Sequence, residues 1–270
     1  MGRRGQSLQT VGAFIGAWLL VFAIVALSGC GRSGFSFAQV RGAEPVGMDD
    51  PVDGRCDKVD FLFIIDDSPS MGDKQAALAA SVPGFVAGLE ETLGTLRSIH
   101  VGVTTTDLYD ANIDECALPG GLIVRTGGQN SSQTSCGPYA AGANYMTEAD
   151  PLEEAFACAV SVGTAGGTYE RPLYAAQRAV SDQLLAEGAC NEGFIRDDAL
   201  LVVVIVSDED AKSSPEDTYD LLVDRKLGFD DNVVVVSLVN DEAGPCEPRL
   251  YSAYAQALVE FTHMFEHGFV

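Results

Sequence analysis

Three oxygen-bearing side chains at alternate positions, Asp66, Ser68 and Ser70, follow directly on the apolar run Phe61-Leu62-Phe63-Ile64-Ile65. A carboxylate with two hydroxyls is a set of hard donors of the kind that a divalent cation such as Mg²⁺, Ca²⁺ or Mn²⁺ takes. Pro69 between the serines stiffens the turn and leaves both hydroxyls free. The same residues also have a purely local use: Asp67 and Ser68 are good turn formers, and Ser70 stands three residues before Asp73 in an N-capping pattern. Nucleophilic catalysis lacks its partners, because the chain contains no G-x-S-x-G and none of His100, His263 and His267 is well placed. A dinucleotide site needs a glycine-rich turn after the first strand, where this chain has two carboxylates.

The elements that must position these groups are legible in outline. Phe61 to Ile65 has the composition of a strand buried on both faces of a parallel sheet. Lys74 to Leu96 carries apolar residues at helical spacing, with Pro83-Gly84 expected to kink or loosen it. Ile99 to Thr106 is a β-branched strand. A long polar, glycine-rich region from Leu108 to Asp150 follows, with one strand candidate, Gly121 to Arg125; a loop region of that length is functional or disordered as a rule. Helices are predicted over Pro151 to Val160, capped by Asp150 or Thr147, over Leu173 to about Glu187, over Thr218 to Lys226 and over Leu250 to His263. Strands are predicted over Leu200 to Val206 and Asn232 to Val239. Alternating strands and helices of this kind imply an α/β, Rossmann-like doubly wound, mostly parallel sheet with helices on both faces, and such folds place ligands at the carboxyl ends of their strands.

Asp66-x-Ser68-x-Ser70 after a buried strand resembles the first motif of the metal-ion-dependent adhesion site (MIDAS) of von Willebrand factor A (VWA) domains. The resemblance implies the VWA fold from Cys56 onward and two further ligands. One is a loop threonine, matched by Thr168 in Gly166-Gly167-Thr168 ahead of a helix. The other is an aspartate after a later strand, matched by Asp208 following Val206-Ser207. The implied ligand set is therefore Asp66, Ser68, Ser70, Thr168 and Asp208, holding one divalent cation, Mg²⁺ first and Ca²⁺ or Mn²⁺ as alternatives. Its open position would take a carboxylate presented by a protein or other partner, without catalysis. Two departures stand out: Pro69 lies between the serines, and Glu209-Asp210 follows the third-motif aspartate where a glycine is usual. The resemblance also leaves the sheet short by one edge strand, since the chain stops soon after its last predicted helix. A strand ending in Asp66-Asp67 is also similar to haloacid-dehalogenase-type phosphatases, but Ser68 stands where their acid/base aspartate belongs. A scaffold subunit of a cell-envelope complex that binds no metal is the principal alternative, and a phosphatase-like hydrolase the lesser one.

Composition sets the outer bounds. The chain of 270 residues is 47% hydrophobic and carries a formal charge of −23, which disfavours nucleic acid or an anionic membrane surface as partner. Arg3 and Arg4, the apolar run Val11 to Leu27 and the sequence Leu27-Ser28-Gly29-Cys30 resemble a bacterial lipoprotein signal, with Cys30 as the lipidated residue; an uncleaved membrane-spanning anchor is the alternative for a run of this length. The organisation expected is a signal peptide over 1–29, a flexible tether over 30–55 and one domain over 56–270, lipid-anchored in the bacterial cell envelope at the outer membrane or cell surface. Six cysteines remain: Cys56, Cys116, Cys136, Cys158, Cys190 and Cys246. An even number in an exported chain reads as disulfides, and proximity suggests Cys116 with Cys136.

Overall fold

The computed structural model describes residues 57–93, 98–208, 212–239 and 256–270. Strand β1, Lys58–Ile65, is buried along nearly its whole length and pairs in parallel with β2, Ser98–Thr105, on one side and β4, Leu200–Val206, on the other. Continuous apolar sequence is what this position demands, since neither face of a central strand meets water. Strand β5, Val233–Leu238, extends the sheet beside β4, again in parallel. Two short strands close the edges: β3, Met146–Thr147, antiparallel to β2, and β6, His267–Phe269, parallel to β5. The six-stranded order β3-β2-β1-β4-β5-β6 is that of a Rossmann-like doubly wound sheet.

Among the described residues six helices accompany these strands: α1, Gly72–Leu93; α2, Leu152–Val160; α3, Pro172–Ala179; α4, Asp182–Leu185; α5, Pro215–Asp224; and α6, Gln256–His263. Phe63 of β1, Phe85 of α1 and Phe156 of α2 meet with ring centroids 4.7 to 5.5 Å apart, which welds α1 and α2 to one face. Helices α3, α5 and α6 form the other packed group. Helix α1 runs through Pro83 without a break. The predicted helix from Leu173 is interrupted at Val180-Ser181, giving α3 and α4. Neither Asp150 nor Thr147 caps α2, whose N-cap position is Pro151. Asp150 instead accepts from the backbone of Ala140 and Thr147, bracing the loop ahead of the helix.

Three expectations are corrected. Strand β6 supplies the edge that the resemblance left missing; it is three residues long and contains Gly268, too little pattern to register in sequence. Gly121 to Arg125 is not a strand of the sheet: Ile123 N reaches Val103 O of β2, but the N–H groups of Leu122, Val124 and Arg125 are taken by buried asparagine side chains. Asn112 Oδ1 accepts from the backbone of Val124 and Arg125, and Asn191 Oδ1 accepts from Leu122. The disulfides are Cys116–Cys190 and Cys136–Cys158, not Cys116–Cys136. Cys116 is held beside the Asn112 and Asn191 network, which brings it to Cys190, while Cys136 lies against α2. Cys56 and Cys246 lie outside the described residues, as do Cys30, the signal segment and the tether.

Candidate metal centre

Strands β1 and β4 lie side by side at the point where the strand order reverses, and both carboxyl ends open there into polar turns. The parallel ladder runs one residue past β1, with Asp66 N donating to Val206 O at 2.9 Å. Asp66 is thereby fully buried. Its Oδ1 accepts from the backbone N–H of Ser68 at 2.8 Å and its Oδ2 from Ser207 Oγ at 2.7 Å. Burial pushes the Asp66 carboxyl up, the donors from Ser68 and Ser207 pull it back, and the charge of Asp208 pushes it up again.

Four of the five expected ligands are joined here in one hydrogen-bonded chain. Beyond Asp66, the Ser68 and Ser70 hydroxyls lie 2.9 Å apart, and Ser70 Oγ donates to Asp208 Oδ1 at 3.1 Å. The local reading of Ser70 as a helix cap does not hold, whereas Ser68 does form a turn, its carbonyl accepting from Met71 N at 3.1 Å. Ser68 makes no capping bond to the turn it precedes, and Ser70 gives its hydroxyl to Asp208, 138 residues away. The other oxygen of Asp208 is held by Lys74 Nζ at 2.7 Å. Lys74 sits one helical turn after Ser70, so the α1 N-terminus carries the site's own counter-ion.

Thr168 is not drawn into this chain: it is exposed and makes no hydrogen bond among the described residues. Its loop is nonetheless tightly fixed. Gln75 donates to Asp66 O at 2.8 Å and Gly163 O at 2.6 Å, and accepts from Gly163 N at 3.0 Å. Gly166 N donates to Asp67 O at 2.9 Å, and a Cβ at Gly166 would lie 2.5 Å from Asp67 Cγ, so only glycine fits. At the loop's far end Arg171 N donates to Thr106 O at 3.1 Å, and the Arg171 guanidinium pairs with Asp107 at 2.6 Å. Between these two anchors the chain turns Glu170 inward. Glu170 is fully buried and accepts from Thr106 Oγ1.

Burial and the charges of Asp66, Asp67 and Asp107 push Glu170 up to about 8. Asp67 is pushed up to about 7, by burial first and then by the charges of Asp66 and Asp107. Asp67 Oδ1 and Glu170 Oε1 have no hydrogen-bond donor. Lys74, Gln75 and Glu170 are the site residues that sequence reasoning missed. Lys74 was within reach, four residues after Ser70 on a helix; nothing local distinguishes Glu170 from a surface acid.

The donors fit a hard cation in kind: they are carboxylate and hydroxyl oxygens at a strand-end crevice, with two buried carboxylate oxygens left unsatisfied. Among the described residues no group of three or more His, Cys, Asp or Glu is arranged to hold a metal. Any cation here is therefore held by few carboxylates supplemented by hydroxyls. Two cavities lie among the described residues, the larger reaching Gln75. One of about 470 Å³ flanks the start of α1 beside Thr164, and one of about 340 Å³ lies along Ala141 to Tyr145 near Cys190. Glu209 and Asp210 lie outside the described residues.

No family model matches the chain, and no curated protein matches it. Among solved structures it is similar to proximal thread matrix protein 1 from the mussel byssus, at 14% identity and a TM-score of 0.37. The match covers 68% of this chain and 38% of that one, so the chain spans well under half of the matrix protein's length. At that TM-score the likeness carries no inference about this chain.

Proposed function

We propose that this chain is a VWA-type domain of a lipid-anchored envelope protein that binds a partner through a divalent cation and has no catalytic role. The observation that carries the reading is the continuous chain of contacts from Asp66 through Ser68 and Ser70 to Asp208, at the carboxyl ends of β1 and β4. Asp66, Ser68, Ser70 and Asp208 are the residues that would hold the ion, Mg²⁺ first, with Ca²⁺ or Mn²⁺ as alternatives. The bound ion supplies an electrophilic position for one carboxylate of a protein or other partner. The remaining surface, at −23 overall, repels generally acidic partners and nucleic acid, which favours a single acidic group set in a neutral or basic surface. The anchoring half of the proposal rests on the lipobox-like sequence ending at Cys30; no helix among the described residues is long and apolar enough to cross a membrane.

The reading as a scaffold that binds no metal has one observation in its favour: Lys74 already neutralises Asp208. Melting of the full-length protein in detergent, with EDTA and then with excess Mg²⁺ or Ca²⁺, separates the two. The metal reading expects a rise in Tm with cation in the wild type and a much smaller rise in Asp208→Ala. No rise in Tm with either cation in the wild type would leave the scaffold.

A further inference from the structure

The turn that leads from α5 into β5 carries two costs at one place. Leu227 has a left-handed backbone, φ 57°, which Gly or Asn adopts readily and Leu does not. In that position its side chain is 62% exposed, and Phe229, two residues on, is 43% exposed. Neither side chain is needed to hold the turn. Its bonds come from the backbone, with Leu227 N donating to Asp224 O at 3.1 Å, Gly228 N to Val223 O at 3.0 Å and Phe229 N to Lys226 O at 3.0 Å. Lys226 then fastens the turn to the domain: it is fully buried, its Nζ donating to Arg196 O at 2.6 Å and lying 3.7 Å from Asp60 Oδ2. Chain geometry keeps the Cα atoms of Leu227 and Phe229 within about 7 Å of each other, so the two mark one apolar spot on the surface.

That spot lies at the pole where the parallel strands β1, β4 and β5 begin, opposite the crevice at their carboxyl ends. The chain also enters the domain at this pole, through Asp57 and Lys58, and Cys30 stands 27 positions before Asp57. With Cys30 acylated, the bilayer is reached from this side, and the intervening segment holds the domain at a high effective concentration beside it. A weak contact suffices under that condition, and Leu and Phe are side chains that enter the boundary between headgroups and acyl chains. The surroundings select the lipid. Asp224, Asp230 and Asp231 flank the turn, while Arg225 is paired with Asp182 and Lys58 with Asp198. That excess of negative charge disfavours an anionic bilayer and a second copy of this chain alike. Two side chains also fall well short of the roughly 1,200 Å² buried by a stable protein interface. We propose that Leu227 and Phe229 rest in the headgroup boundary of a zwitterionic bilayer, so that the candidate metal centre faces away from the membrane. The proposal rests on the anchored reading of Cys30 and adds an orientation to it.

The full-length protein, reconstituted in phosphatidylcholine vesicles with brominated acyl chains, tests this through added tryptophans. Leu227→Trp and Phe229→Trp are compared with Tyr169→Trp, in the exposed loop beside the metal centre, after subtraction of the wild type, which holds one Trp. Bromine is expected to quench the added emission at least twofold at 227 and 229 and to leave that at 169 unchanged. Replacing part of the lipid by phosphatidylglycerol at low salt is expected to reduce the quenching; an equal or greater value overturns the choice of an uncharged surface. No quenching at 229 in protein that floats with the vesicles, or equal quenching at 169, overturns the contact and leaves the anchor. Blue-shifted emission at 229 without quenching assigns the spot to another part of the chain or to a second copy, and overturns the contact as well. A wild type that does not float with the vesicles overturns the anchored reading, and the orientation with it. Should Leu227→Trp fail to fold in its left-handed position, Phe229→Trp reports alone.

Discussion

Lys74 occupies an unusual place among the site residues, because its ammonium sits where a metal's charge would otherwise be felt. At 2.7 Å from Asp208 it neutralises that carboxylate, and a cation bound as proposed would compete with it. Lys74→Met is therefore expected to tighten divalent-cation binding several-fold and to lower Tm in EDTA, both readable by titration and melting of the same sample. Asp67 and Glu170 set the pH response of the metal-free protein. Both carboxyls are raised in the folded state, to about 7 and about 8, from ordinary values near 4. The folded state then holds protons that the unfolded chain releases. This contribution is fully present below about pH 4 and is lost as pH rises through 7 to 8. Melting in EDTA is expected to fall between pH 5 and pH 8.5, and Asp67→Asn is expected to flatten part of that fall. That Asp66, Ser68, Ser70 and Asp208 belong together was legible, because strand ends announce themselves in sequence. That Glu170 is buried was not, since its burial is decided by clamps at Gln75 and Arg171, which act across 88 and 65 residues to Gly163 and Thr106.

The elements divide in the same way. Strands β1, β2, β4 and β5 were readable to within a residue or two at most ends because doubly covered strands carry runs of apolar and β-branched residues. Strands β3 and β6 were not, because two or three residues carry no period and their pairing is set by the open edges of β2 and β5. Strand β1 also contains a buried charge at its opposite end from the site. Asp60 is fully buried, its Oδ1 accepting from Arg196 Nε at 2.8 Å and its Oδ2 from Arg196 N at 2.8 Å. Lys226 Nζ lies 3.7 Å from the same carboxylate and donates to Arg196 O at 2.6 Å. Removing one partner of such a pair strands the other, so Arg196→Met is expected to cost about 3–5 kcal/mol in urea unfolding. Asp60→Asn with Arg196→Met should recover part of that loss, which a merely additive packing effect would not.

For the molecule as a whole, charge and covalent bridging matter more than any one contact. A formal charge of −23 on 270 residues means self-repulsion, so raising NaCl from 20 to 500 mM is expected to raise Tm even in EDTA, where no specific ion competes. The two described disulfides span 74 and 22 positions. By the chain-entropy account they stabilise by roughly 4.5 and 3.4 kcal/mol, so Cys116→Ala with Cys190→Ala should cost more than the other pair. Their placement has another effect. Cys116 and Cys190 enclose the long loop region, α2, α3 and α4, and the second bridge is nested inside the first. Any single backbone cut between residues 117 and 189 therefore leaves the two pieces joined by at least one bridge. A protease that nicks this stretch produces a chain that runs as two bands under reducing conditions and as one without reductant. The half bearing Asp66 stays tethered to the half bearing Asp208 after such a cut. Wherever the bridges stay oxidised, one nick in this stretch does not set either half free.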